Sequence, residues 1–215
     1  MFGIHDLWLF VISGLALNVT PGPDLLYISG RSAAHGARVG AVAAFGVAAG
    51  CWVHILAAAL GLSALLAASS AAFTVVKLAG ACYLVYVGLA MVLSKGHGAG
   101  HGPAAERSGD RLGASTRKVF MQGFLTNALN PKVALFFLAF LPQFIDPAAT
   151  GKAYAFLLLG GIFNCTGLMV CLAAAWLSAR ALSGVRDGRF GTWFNRGIGG
   201  MFVLLGARLA FSDNA

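Results

Sequence analysis

The chain has 215 residues, 59% of them hydrophobic and only 10% charged, with a net charge of +8. So little charge leaves a soluble domain without polar cover, and the basic residues are spread through the chain rather than gathered with aromatics as a nucleic-acid surface requires. The length suits about six membrane spans of roughly 20 residues each. The expectation is an all-α polytopic membrane protein, one transmembrane domain over 1–215.

The chain begins Met-Phe-Gly-Ile-His-Asp, with no basic stretch before the first apolar run, so that run reads as a span and not as a cleaved signal. Spans are predicted at about 7–30, 39–66 and 73–94, and again at 119–145, 153–182 and 196–212. Between them, about 95–118 is rich in Gly, His and charge and reads as a linker. It divides the chain into a first repeat over about 1–94 and a second over about 119–215, three spans each. An odd number of spans per half predicts that the second half enters the membrane from the opposite side, a 3+3 inverted repeat. Two echoes in matching order support it: Thr20-Pro21 with Asn130-Pro131, and Lys77-x-x-Gly80-x-x-Tyr83 with Arg196-x-x-Gly199-x-x-Phe202.

Eleven of the fifteen Lys and Arg residues fall on one side of this topology: Arg31 and Arg38, then Lys95 to Lys118, then Arg180 to Arg196. The positive-inside rule places that side in the cytoplasm and both termini outside. Gly36-x-x-x-Gly40, Gly46-x-x-x-Gly50 and Gly160-Gly161 predict close helix packing, with a homodimer face as the alternative use of the same stripe. Cys51, Cys82, Cys165 and Cys171 show no metal-ligand spacing, and His97 and His101 lie in the linker without further ligands. No metal site, cofactor or nucleophile motif emerges, so no enzyme activity is expected.

The first and fourth spans are each interrupted. Pro21-Gly22-Pro23 breaks one and Pro131 the other, since proline lacks the amide donor and clashes with the preceding turn. Paired broken helices in corresponding places of two halves predict a mid-membrane site of a secondary transporter. Each break carries a charge that is costly in lipid: Asp24 and Lys132. Asp24 has three candidate roles: capping the new half-helix, carrying a proton, or holding a substrate ammonium. Lys132 is a candidate to hold a substrate carboxylate or to pair with Asp24, rather than to snorkel. Thr20, Asn130, Asn18, Thr126 and Asn127 add polar groups that can re-satisfy the broken backbone. His54 and Asn164 stand in mid-span, His54 as a candidate proton relay or as a helix–helix hydrogen bond.

Three stretches carry a family resemblance: Thr-Pro-Gly-Pro-Asp-Leu-Leu-Tyr (20–27), Lys-Leu-Ala-Gly-Ala-Cys-Tyr-Leu-Val-Tyr-Val-Gly (77–88) and the long run from Gly123 to Phe144 containing Asn-Pro-Lys. Together they resemble the lysine exporter / threonine-homoserine efflux (LysE/RhtB) family in order along the whole chain. The resemblance implies a bacterial inner-membrane exporter of amino acids or close derivatives, driven by proton antiport. It maps the family's motif positions onto Pro21, Gly22, Pro23, Asp24, Asn130, Pro131 and Lys132, and Thr20 leans to the threonine-homoserine and homoserine-lactone branch. The expected partners are a small amino acid, protons and lipid.

Two rival readings come from more distant relatives. A transmembrane thiol-electron carrier needs a cysteine pair near the breaks, and neither break has a cysteine neighbour in sequence. A divalent-metal transporter needs several intramembrane acids, and Asp24 is the clear one.

Overall fold

The computed structural model describes residues 3–62, 115–146 and 148–180 continuously. It adds isolated helical positions at 75, 78, 82, 85, 86, 89, 93, 200, 203, 204 and 207. The described chain is helical, with no strand beyond one isolated antiparallel bridge, Ile4 with Ile145. The helices are α1 (Leu7–Val19), α2 (Pro23–His35), α3 (Ala37–Ala57), α4 (Thr116–Ala128), α5 (Pro131–Leu135) and α6 (Lys152–Arg180). A π turn, Ala58–Leu62, extends α3, while a π turn (Phe136–Phe140) and a 3-10 turn (Leu141–Phe144) extend α5.

Two helices, Ala37–Gly61 and Lys152–Arg180, are long and apolar enough to cross a bilayer by themselves. Two bent pairs qualify as one span each: α1 with α2, turned by 51°, and α4 with α5, turned by 43°. These four match the expected spans at 7–30, 39–66, 119–145 and 153–182. The fourth starts slightly earlier, because Thr116, Arg117 and Lys118 belong to α4 rather than to a linker. The expected spans at 73–94 and 196–212 lie outside the described residues apart from the isolated helical positions. The 95–114 stretch with His97 and His101, and the echo from Lys77 and Arg196, lie outside them as well.

Both breaks form where proline dictates. Thr20 ends α1 in an extended conformation (φ −63°, ψ 124°), as a residue before proline must, and Pro23 opens α2 at a position where its missing donor costs nothing. Asn130 (φ −77°, ψ 110°) and Pro131 repeat the arrangement between α4 and α5.

Glycine sets how closely the spans approach. A Cβ on Gly46 would lie 2.2 Å from the carbonyl oxygen of Phe120, one on Gly50 2.4 Å from that of Phe124, and one on Gly123 2.5 Å from that of Ala43. The α3 and α4 backbones therefore touch, the close approach that lets helices associate where no hydrophobic effect joins them. Gly40 likewise fits against Ser32 and Ala175, and Gly160 against Ile55 and Phe137. Gly36 and Gly161 depart from the packing expectation. Gly36 makes the α2–α3 turn at φ +87°, a conformation side chains disfavour, and neither it nor Gly161 has an atom within 4 Å of a Cβ position.

Buried apolar residues form two clusters. At the end carrying the N-terminus, Phe10, Phe136, Phe137, Phe140, Phe144 and Phe163 stack edge and face, with Phe136 and Phe163 centroids 4.7 Å apart. The opposite cluster, from Ile28, Ala43, Ala44, Val47, Val119, Cys171 and Ala175, joins α2, α3, α4 and α6. Trp8, Leu60, Leu129 and Tyr154 lie on the outer surface, as lipid-facing side chains do. Replacing Gly123 by Val should cost ~1–3 kcal/mol or more by overpacking, whereas Gly161→Ala should leave stability unchanged. Thermal unfolding of the two variants in detergent measures the difference.

Candidate functional site

The two breaks meet, and each grips the charge of the other. In α1, the Leu17 carbonyl would normally accept the amide four residues on, but that residue is Pro21. The Thr20 amide reaches that carbonyl at 3.2 Å, and Lys132, from the second break, adds a second donor: its Nζ donates to the carbonyls of Leu17 and Thr20, both at 2.9 Å. Its positive charge also sits at the negative end of the α1 dipole. Thr20 turns its hydroxyl back to the Ala16 carbonyl at 2.7 Å. Gly22 completes the approach, since a Cβ there would lie 3.5 Å from Lys132 Nζ.

The acid is held in the reverse direction. Asp24 Oδ2 accepts from Asn127 Nδ2 at 3.0 Å and from Asn130 Nδ2 at 2.9 Å. Asn130 has a second task, its Oδ1 accepting the Lys132 amide at 3.0 Å and so capping α5. Asp24 keeps its place in the first turn of α2 but makes no capping hydrogen bond there. Gly22 is the N-cap of α2 and no side chain bonds its first amides, because the carboxylate is engaged by two amide donors across the break. Direct pairing of Asp24 with Lys132 is not observed either; no ion pair joins them.

His54 on α3 answers the second proline. The Asn127 carbonyl, four residues before Pro131, accepts from Asn130 N at 2.8 Å and from His54 Nε2 at 2.9 Å. Its ring stacks on Phe137 with centroids 6.2 Å apart.

A cavity of about 40 Å³ lies beside these groups, space for a few waters. Asp24, Lys132, Thr20 and Gly22 line it, together with Asn18, Asn127 and Asn164. Its apolar wall includes Leu25, Ala44, Val47, Ala48, Phe163 and Leu168. Asn130, His54, Pro21, Pro23 and Pro131 are not in the lining; they stand behind it and shape it. Asp24 Oδ1 and Asn127 Oδ1 are buried with no hydrogen-bond partner. The site thus presents unused acceptors near Asp24 and an ammonium held only by neutral carbonyls.

Several lining residues escaped the sequence reading as site members. Asn127 was visible there only as backbone repair, though its place one turn before Pro131 is the signal for a side chain at the break. Asn18 donates to the Phe163 carbonyl (3.2 Å) and Asn164 to the Ala48 carbonyl (3.2 Å), tying α6 to α1 and α3. Cys51 and Cys171, remote from both breaks in sequence, also line the cavity as free thiols. No group of three His, Cys, Asp or Glu able to hold a metal occurs among the described residues.

The family description "LysE type translocator" matches residues 15–213, nearly the whole chain. The chain belongs to the LysE-type translocator family. An uncharacterised membrane protein of Pseudomonas aeruginosa is 32% identical over 97% of this chain and 96% of its own length. The homoserine/homoserine lactone efflux protein of Salmonella typhi is 29% identical, covering 96% of each chain. The leucine efflux protein of an Enterobacter species is 29% identical over 97% of each. No solved structure matches the chain. Membership makes this LysE-type translocator a transporter rather than an enzyme, and the break site is the polar cavity within its described spans.

Removal of the Lys132 ammonium in Lys132→Met leaves the Thr20 carbonyl unpaired and the Leu17 carbonyl with only the Thr20 amide, and should cost about 1–3 kcal/mol. Asp24→Asn keeps an oxygen able to accept both amide bonds and should fold as the parent does. Unfolding temperatures of the two variants in detergent should separate them.

Proposed function

We propose that this translocator exports amino acids or close derivatives from the cytoplasm by proton antiport, with Asp24 and Lys132 as the two poles of its substrate site. The observation that carries the reading is an acid and a base lining one cavity while bonded to neutral groups rather than to each other. A zwitterion needs one partner for each charge. Asp24 Oδ1 and Asn127 Oδ1 suit an ammonium, whose hydrogens they can accept. Lys132 suits a carboxylate, since an ammonium has three donors and two are used within the protein. The names of the efflux relatives, for leucine and for homoserine and its lactone, fit such a site.

Proton coupling follows from the same acid. A proton arriving at Asp24 from outside neutralises the carboxylate, removes its hold on the ammonium and releases the amino acid. Loss of that proton to the cytoplasm restores the site. Thr20, Asn130 and His54 act by holding the two poles in place: Thr20 through its carbonyl, Asn130 through Asp24 and the α5 cap, His54 through Asn127.

The inverted repeat remains part of the proposal. It is supported by an offset of 110 residues that relates Leu17 to Asn127, Pro21 to Pro131 and His54 to Asn164. The first pair is the two carbonyls four residues before the prolines, and the second is the prolines that remove their helical donors. An inverted repeat with the basic loops inside puts both termini outside the inner membrane. A periplasm-active reporter enzyme fused to the C-terminus should be active, and an inactive fusion would reverse this orientation.

The decisive test uses liposomes loaded with a radiolabelled amino acid, under an inward proton gradient. The parent protein should accelerate efflux and an uncoupler should abolish the acceleration. Asp24→Asn should lower proton-driven efflux at least about thirtyfold, the loss expected when one partner of a buried charge contact is removed. Full, proton-dependent export by that variant would refute the role of Asp24.

A further inference from the structure

The side-chain end of the cavity has a composition that the two charged poles leave unexplained. Among the described residues, Asp24 and Lys132 are the only charged ones in the lining. Beyond them the wall is made by Leu25 of α2, Ala44, Val47 and Ala48 of α3, and Leu168 and Cys171 of α6. The amide donors of the polar neighbours there are engaged within the protein: Asn18 donates to Phe163 and Thr166, and Asn164 to Ala48.

We propose that this wall selects amino acids with an uncharged, aliphatic side chain and rejects basic and acidic ones. The proposal rests on the reading of Asp24 and Lys132 as the poles for the α-ammonium and α-carboxylate. Once a zwitterion has engaged both, a third charge on the substrate meets alkyl groups, a thiol and neutral amides. An ion moved from water into such surroundings loses its hydration without gaining a counter-charge, which is far more costly than burying a methyl group. A methyl or methylene in the same place gains by leaving water. Ala44 and Ala48 give the α3 side of the wall two short side chains beside Val47.

Near-isosteric pairs test charge alone. The purified parent protein is equilibrated with tritiated leucine, which is then displaced by norleucine or lysine, and by glutamine or glutamate. Norleucine should displace at concentrations at least about tenfold below lysine, and glutamine at least about tenfold below glutamate. Ala48→Glu, which adds a carboxylate to the wall, should bring lysine within about threefold of norleucine. The parent pairs decide the matter whether or not that variant folds. Lysine or glutamate displacing within about twofold of its neutral partner overturns the selectivity and leaves the two poles standing. Failure of leucine to bind while the same protein exports another amino acid from liposomes also overturns it. Export of no amino acid at all removes the transport reading with it.

Discussion

A carbonyl whose helical partner is a proline loses its i+4 amide donor, and in lipid no water replaces it. This constraint organises the described structure. Leu17 precedes Pro21 by four residues, and Asn127 precedes Pro131 by four. Each of these carbonyls keeps only a tighter bond from the residue three on, and each is also met by a basic side chain from a different helix: Lys132 for Leu17, His54 for Asn127. The repair is therefore tertiary. It draws α5 onto the end of α1 and α3 onto the end of α4, and the site takes shape where those repairs cross.

The same economy explains why charge is tolerated here. An isolated carboxylate or ammonium in an apolar interior is prohibitively expensive, and a direct ion pair recovers the cost only with good geometry and further hydrogen bonds. In this protein each charge is neutralised by dipoles instead. Asp24 takes two amide N–H donors, and Lys132 takes two carbonyls at the negative end of α1. Dipoles stabilise an ion without cancelling its charge. That leaves both ions able to respond to a charged ligand, which a closed Asp–Lys pair would resist.

Much of this was legible in the sequence, and the limits have a physical origin. The breaks were readable because proline acts locally: Pro21, Pro23 and Pro131 interrupt their spans in any fold. The need for partners for Asp24 and Lys132 was readable from the cost of charge in lipid. Which partners they found was not, because Asn127 and Asn130 reach Asp24 across more than a hundred residues of chain. Local propensity even favoured the wrong answer, since a carboxylate just inside a helix start suits a cap. Gly36 shows the same ambiguity. Its GxxxG spacing reads as packing, but its backbone at φ +87° makes it a turn, and spacing carries no dihedral information. Cys51 and Cys171 reach the cavity through the docking of α3 and α6, which no pattern within either helix encodes.

The packing also distributes rigidity unevenly. Gly46, Gly50 and Gly123 lock α3 to α4 backbone against backbone, with no side chain between them to yield. Ser32 bonds the Ala175 carbonyl, and Arg31 and Tyr27 reach Gln122 (2.7 and 3.3 Å), so α2 is fixed to α6 and α4. The aromatic cluster of Phe10, Phe136, Phe140 and Phe144 binds α1 to α5 in turn. Between these two assemblies the covalent links are the breaks, 20–22 and 129–130, where proline removes a helical hydrogen bond, and the connection from Phe144 to Lys152. The non-covalent links include Asp24 with Asn130, Asn18 with the Phe163 carbonyl, and the Phe163 ring of α6 against Phe136 and Phe137, while Lys132 ties α5 to α1 within one assembly. A hinge needs a few residues that absorb backbone rotation and contacts that differ between its states. Here one of the groups proposed to hold substrate, Asp24, also helps to hold the two assemblies together through Asn130. A ligand that competes for Asp24 therefore weakens a contact across the hinge, which would give substrate binding a direct mechanical consequence.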